Sequence, residues 1–376
     1  MSITKNIYSS RLLNKLRKAW EYIKRELNTE KMKIFFTYSI RLNHPVFKHI
    51  VSNPPIKYSN LKKAKLLHLI QGPSKELTQF KPFIIEQIDH VLSPVARYCD
   101  YTFEPEGYVQ KVKIARDIYA SELCKKIILV SKGQSEVFKR YINEEAILNK
   151  ITIIPIAWKN NLGITKQINN SEGTNFLFIA SNYLTKGCQI VLEAWKQFCL
   201  SDQHSTLTLV SHDLPYEMES TLERVNVIKE IPLKAKTKNS IYSQAEVVIA
   251  TTLTDGVTPV EAMSYGLPII VFRTQHSKDY IKNGNGFEID VPINIYDKEY
   301  GKEWKTNQDY VAKIKDYLNK GLFSDTINNL TKTFKLYSTD KELINIHKER
   351  TEQHFMLNHT IELRNKKLLE IYKEVY

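Results

Sequence analysis

Cysteine is scarce in this chain. The four present, Cys99, Cys124, Cys188 and Cys199, form no C-x-x-C pair. That spacing fits a reducing compartment and excludes a disulfide framework or a zinc finger. Long hydrophobic runs are missing too: none approaches the ~20 residues that span a bilayer. The N-terminus lacks the apolar core of a signal peptide, so the expected place is the cytoplasm, either free or peripheral on the inner face of the cytoplasmic membrane. No low-complexity block suggests disorder. No P-loop or RNA-recognition pattern occurs, which makes nucleic acid the weakest candidate partner. No Asp-x-Asp motif stands at a strand end, so no metal site is expected.

What is present is a globular composition, 42% apolar, on 376 residues. That length is enough for two domains with separate cores. Lys and Arg number 54 against 41 Asp and Glu, a formal net charge of +13. The excess implies attraction to something anionic, either a membrane surface or a phosphorylated substrate.

Residues 1–30 form the first segment. Within residues 5–27, Leu13, Leu16, Trp20, Ile23 and Leu27 mark one helical face, flanked by Lys5, Arg11, Lys15, Arg17, Lys18, Lys24 and Arg25. Such a basic helix suits an anionic membrane surface, or it docks on a domain with its basic face solvated.

From residue 31 to 157, short β-rich runs alternate with helical patterns. The runs are Ile34–Tyr38, Lys65–Ile70, Pro82–Ile85, Lys126–Ser131 and Ile151–Pro155, with helices expected at Val109–Leu123 and Ser135–Asn143. The polar, Asn- and Gly-rich residues 158–173 read as a linker. A second alternating set fills residues 174–340: strands at Phe176–Ala180, Ser205–Val210, Val225–Lys229, Ala245–Ala250 and Ile269–Phe272, with helices at Gly187–Leu200 and Lys238–Gln244. Residues 341–376 are a charged helical tail, expected to pack back toward the N-terminal domain. The fold class is therefore α/β: two Rossmann-like domains facing a central cleft, with a helical tail.

The densest signal runs from Leu253 to Val271. An apolar strand is followed by the turn Asp255-Gly256, a helix opening at Thr258-Pro259 with Glu261 one turn in, and a stop at Gly266-Leu267-Pro268. Thr258 is expected as the N-cap with Pro259 at the first helical position. A helix start of this kind offers free N–H groups to phosphate, and its carboxylate can accept from a sugar hydroxyl. This points to a nucleotide-sugar enzyme.

Over about residues 174–290 the chain resembles the retaining glycosyltransferases of family 4, within the glycosyl transferases of group 1, which have the GT-B fold. The resemblance is carried by Phe176-Leu-Phe-Ile-Ala-Ser-Asn-Tyr-Leu-Thr-Lys186-Gly187, by Ile241-Tyr-Ser-Gln-Ala-Glu-Val-Val-Ile-Ala, and by Gly256 to Pro268. It implies a nucleotide-diphosphate sugar as donor substrate, no further cofactor, and a glycan or lipid-linked glycan as acceptor, in bacterial cell-surface glycan synthesis. By the same resemblance Lys186 contacts the donor diphosphate. Gly256, Val257 and Thr258 offer it backbone N–H groups, and Glu261 accepts from the ribose. Ser181 and Asn182, in the loop after the strand, complete the donor-binding set. Asp89 and His90, after the third N-terminal strand, are candidate catalytic residues; a neutral His there can bond a sugar hydroxyl or orient the acceptor, or simply pack at a strand end.

Three positions depart from the family pattern. Leu253 stands where many relatives have an acid, with Asp255 as its candidate replacement. Ser181 stands where many have Arg, leaving Lys186 and a second cation such as Arg273 to neutralise the diphosphate. The first strand, Ile34 to Tyr38, is not followed by a Gly-rich turn. Two rival readings accompany the transferase: a GT-B nucleotide-sugar epimerase, or a non-catalytic glycosyltransferase-like partner subunit.

Overall fold

The computed structural model describes residues 34–38, 66–70, 82–87, 105–165, 172–180, 183–219, 222–229, 233–251, 253, 256–274, 276–293 and 307–375. Two compact units emerge: residues 1–155 with 361–376, and residues 156–360.

In unit 1, β1 (Ile34–Tyr38), β2 (Leu66–Ile70), β3 (Phe83–Gln87), β4 (Cys124–Leu129) and β5 (Ile151–Ile153) pair in parallel, in the order in which they occur in the chain. The middle strands bury apolar side chains on both faces, as a parallel sheet covered on both sides requires. Phe83, Ile85, Ile127 and Leu129 pack with Tyr119 and Phe138. Those two come from the helices α1 (Pro105–Ala120) and α2 (Lys132–Tyr141). Ser131 caps α2 by accepting from the Gln134 amide at 2.9 Å. A single turn, α3 (Glu145–Leu148), leads into β5. On the opposite face, Leu66, Ile84, Ile128 and Ile154 meet Leu368, Ile371 and Tyr372 of the last helix.

In unit 2, β6 (Asn175–Ile179), β7 (Thr206–Val210), β8 (Val225–Ile228), β9 (Val247–Ile249), β10 (Ile269–Phe272) and β11 (Gly286–Ile289) form a parallel sheet of order β11-β10-β9-β6-β7-β8. The crossovers carry α4 (Cys188–Cys199), α5 (Tyr216–Glu219), α6 (Ala235–Gln244), α7 (Thr258–Met263) and α8 (Ser277–Tyr280). Three longer helices follow: α9 (Asn307–Asn319), α10 (Ser324–Thr339) and α11 (Lys341–Asn358). One face of the sheet packs an aromatic cluster in which Phe176 lies 5.7 Å from Trp195 and 5.2 Å from Phe334, ring centre to ring centre. Edge-on and tilted contacts of this kind add to the burial of large rings. On the other face Leu177, Val248 and Ile269 meet Tyr242, Val260, Met263 and Phe355.

The structure departs from the sequence reading in three ways. The segment read as a linker is bound over residues 158–165. The Asn161 amide donates to the Ser264 carbonyl at 3.0 Å and its side chain to Ser264 Oγ at 2.9 Å, while Trp158, Leu162 and Ile164 pack on the unit 2 core. The tail is two helices, broken at His359. The first, α11, belongs to unit 2, and the second, α12 (Ile361–Val375), to unit 1. Helix α7 starts one residue early: Val257 is its N-cap with φ −93° and ψ −6°, and no side chain caps it. The backbone has already turned at Val257, whose carbonyl accepts from the Glu261 amide at 3.0 Å, so Thr258 lies inside the first turn.

Candidate functional site

The order of the second sheet reverses between β6 and β9. From β6 the chain builds outward through β7 and β8, then crosses back and builds the other way through β9, β10 and β11. In open α/β sheets, ligands bind outside the carboxyl ends of the strands at such a reversal. The Phe178↔Ile249 register brings the ends of β6 and β9 side by side. The loops leaving them are those that hold Lys186 and Gly256.

These loops are fastened together. The Leu253 amide donates to the Thr185 carbonyl at 3.0 Å, and Leu253 itself is buried in the aromatic core. Where an acid was looked for, packing is served instead. Asp213, beyond the end of β7, accepts from the Tyr183 amide at 2.9 and 3.0 Å through its two oxygens. Gly187 then turns the chain into α4 with φ of +72°, and a Cβ there would stand 2.7 Å from Phe272 Cε2. Only glycine accepts both that conformation and that contact. Lys186, one residue earlier, places its Nζ 3.3 Å from the position of a Cβ on Gly256. The Tyr280 hydroxyl donates to the Gly256 carbonyl at 3.4 Å from behind.

One helical turn further, Glu261 is buried and accepts from Lys238 Nζ at 2.7 Å through Oε1. The same ammonium lies 5.9 Å from the centre of the Trp158 ring. Behind the carboxylate, Tyr242 and Tyr265 stack with centroids 4.4 Å apart and an interplanar angle of 4°. Burial first, and then the Glu261 charge, push both phenols up, Tyr265 to about 12 and Tyr242 well above its ordinary value. Both are therefore neutral hydroxyls at physiological pH. The Tyr265 hydroxyl donates to Asn239 Oδ1 at 2.8 Å.

Arg273 is not the spare cation that the sequence suggested. Its Nε meets Glu288 Oε2 at 2.9 Å and its Nη1 meets Asp290 Oδ1 at 2.5 Å. Two carboxylates on or beside β11 engage it. Of the other expected site residues, Val257 is exposed and Thr258 half-buried beside Gly256. Asp89, His90, Ser181, Asn182 and Asp255 lie outside the described residues, as does the basic segment 5–27. Lys238, Trp158 and Tyr280 were not singled out from sequence. No local spacing links Lys238 to Glu261, and only the packing of α6 against α7 joins them.

Among the described residues, no cluster of His, Cys, Asp or Glu fit to hold a metal ion is found, and no helix is long and apolar enough to cross a membrane. A cavity of about 580 Å³, lined by Asn175, Thr206, Arg224, Val225 and Gln244 among others, opens at the amino ends of β6, β7 and β8. It lies at the opposite end of these strands from Lys186 and Gly256.

The segment that contains this site is also where likeness to known proteins concentrates. Residues 173–296 match glycosyl transferases group 1. In fold, WaaG, a glycosyltransferase involved in lipopolysaccharide biosynthesis, is similar with a TM-score of 0.55 and 14% identity, over 95% of this chain and 95% of WaaG. Anabaena HepE in complex with UDP gives 0.52 and 14%, over 88% of this chain and 82% of HepE. An S. aureus TarM variant in complex with fondaparinux, alpha-GlcNAc-glycerol and UDP gives 0.52 and 13%, over 81% of this chain. The chain spans only about half the length of TarM, 55% in that complex. No curated protein matches the chain in sequence. The two parallel α/β units and the helical C-terminus are those of the GT-B fold.

Proposed function

We propose that the protein is a retaining glycosyltransferase that moves a hexosyl or related group from a nucleoside-diphosphate sugar to an acceptor hydroxyl. The acceptor is a glycan or lipid-linked glycan of the bacterial cell surface. The observation that carries this reading is the meeting of Lys186 and Gly256 at the strand-order reversal. A lysine ammonium beside a bare backbone turn is suited to a diphosphate, because a Cβ-free position lets phosphate oxygens approach the main chain while the point charge follows them. HepE and TarM in complex with UDP are similar in fold, which favours a uridine nucleotide.

In this reaction the acceptor oxygen bonds to the anomeric carbon as the bond to the diphosphate oxygen breaks. Negative charge gathers on the departing diphosphate, which takes up the acceptor's proton. Lys186 stabilises that charge more in the transition state than in the ground state, which is the difference that accelerates a reaction. Glu261 accepts from the ribose and fixes the nucleotide, with Val257, Thr258, Ser181 and Asn182 around the diphosphate and sugar. His90, Asp89 and Asp255 are assigned to the acceptor and the transferred sugar. Lys186 carries the diphosphate charge, and no divalent cation is required.

Calorimetric or thermal-shift titration with UDP, GDP, ADP and their common sugars, with and without magnesium, tests the reading. A ligand at 100 times its dissociation constant stabilises the folded state by ~2.7 kcal/mol. A metal-independent response to one nucleoside diphosphate is expected. No response to any of them contradicts the donor site and favours a non-catalytic subunit. Consumption of the donor sugar without an acceptor favours an epimerase.

A further inference from the structure

A buried carboxylate needs a partner, since an unpaired charge taken out of water is costly. Glu261 finds its partner in Lys238, across from α7 on α6, at 2.7 Å. The Lys238 side chain is itself constrained: it retains 30% exposure, and its ammonium sits over the Trp158 ring. Trp158 is held in turn, its amide donating to the His359 carbonyl at 2.8 Å. The lysine thus holds the carboxylate through one of its oxygens, Oε1. The stacked phenols of Tyr242 and Tyr265 lie close enough to the carboxylate for its charge to raise both.

We propose that Lys238 is a positioning residue that makes the site select ribonucleotides over deoxyribonucleotides. It acts through Glu261, by fixing the carboxylate that receives the ribose hydroxyls, and not by touching the nucleotide. This inference rests on the proposed role of Glu261 as the ribose acceptor. A site built to bond a hydroxyl rejects the analogue that lacks it, because its own polar group is left unpaired. That selectivity requires the carboxylate to be held still, as a charged fork or point charge beside it can do.

The test is calorimetric titration of the full chain and of Lys238→Met, Lys238→Gln and Lys238→Arg with UDP, GDP and ADP and with their 2′-deoxy counterparts. The wild type is expected to bind at least one ribonucleotide ~10-fold or more tighter than its deoxy form. Lys238→Met and Lys238→Gln are expected to bring that ratio to within ~3-fold, chiefly by weakening the ribonucleotide, and Lys238→Arg to restore most of it. The side chain is partly exposed, so these variants are expected to fold, and either neutral variant with an intact thermal transition suffices. An unchanged ratio in the neutral variants overturns the inference. Equal loss of affinity for ribo and deoxy forms also overturns it, by showing a direct charge contact. A wild type that binds nucleotides without preferring ribose overturns the assignment of Glu261 instead, and is told apart by needing no variant.

Discussion

Lys186 Nζ lies 3.3 Å from where a Cβ on Gly256 would stand, across the reversal of strand order between β6 and β9. The two residues are far apart in sequence and meet because their loops are stitched by the Leu253 amide on the Thr185 carbonyl. Lys186→Ala is expected to lose ~10- to 100-fold in affinity for UDP, since a charged hydrogen bond contributes ~1.5–3 kcal/mol. Binding of uridine, which lacks the diphosphate, is expected to stay the same. Turnover falls with the diphosphate contact, while the thermal transition of this half-buried surface lysine moves little. Equal UDP affinity in the two proteins would remove Lys186 from the phosphate site. Gly256→Val gives the complementary test: its side chain displaces the ammonium and is expected to weaken UDP in the same direction.

The charge excess and the basic residues of segment 5–27 predict electrostatic binding to an anionic membrane surface. Deletion of residues 1–28 is expected to release the protein from phosphatidylglycerol vesicles. The full chain is expected to dissociate from them as salt rises, because the Debye length shrinks from ~10 Å at 0.1 M to ~3 Å at 1 M. Phosphatidylcholine vesicles, lacking net charge, serve as the comparison. Undiminished sedimentation of the truncated chain with phosphatidylglycerol would show that this segment is not the anchor.

The central strands of the second sheet were legible because buried parallel strands are continuous apolar runs. Phe176–Ile179, Val247–Ile249 and Ile269–Phe272 need no partner to be seen. The helix stop at Gly266 was legible for a different reason: with φ of +66°, it takes a conformation that glycine adopts at little cost. β11 was not legible, since Gly286-Phe287-Glu288-Ile289 is short and mixed. Missing it had a consequence for the site, because the acids that engage Arg273 are Glu288 on β11 and Asp290 just after it. Lys238 escaped for a related reason. Its partner lies 23 residues away on another helix, and a lysine in a helical pattern looks like any solvated one. Side-chain pairs that depend on how two helices pack leave no periodic trace.

A pairing between residues 304 positions apart yields a prediction for stability. In unit 1, His68 Nδ1 and the Tyr372 hydroxyl are 2.6 Å apart, and His68 Nε2 is 3.2 Å from Glu86 Oε2. Arg364 of α12 forms an ion pair with Glu86 and donates to the carbonyls of Ile154 and Pro155 at 3.1 and 2.9 Å. Burial by itself would raise the Glu86 carboxyl, but Arg364 and His68 outweigh it and bring the group from 4.5 to about 2. A carboxyl whose folded value is depressed binds its proton more readily in the unfolded chain. Its contribution, ~3 kcal/mol, is thus complete above about pH 4.5 and is lost as the pH falls toward 2. Arg364→Met leaves burial opposed by His68 alone. Stability near neutral pH is then expected to drop by ~3–5 kcal/mol, the cost of stranding a buried charge, and the acid loss to begin at higher pH. In Glu86→Gln the part of the acid slope between pH 4.5 and 2 that belongs to this carboxyl is expected to vanish. Denaturant unfolding followed from pH 7 down to the acid range measures all three proteins. An acid profile in Glu86→Gln that parallels the wild type throughout would show that Glu86 is not held in its ionised form by the C-terminal helix.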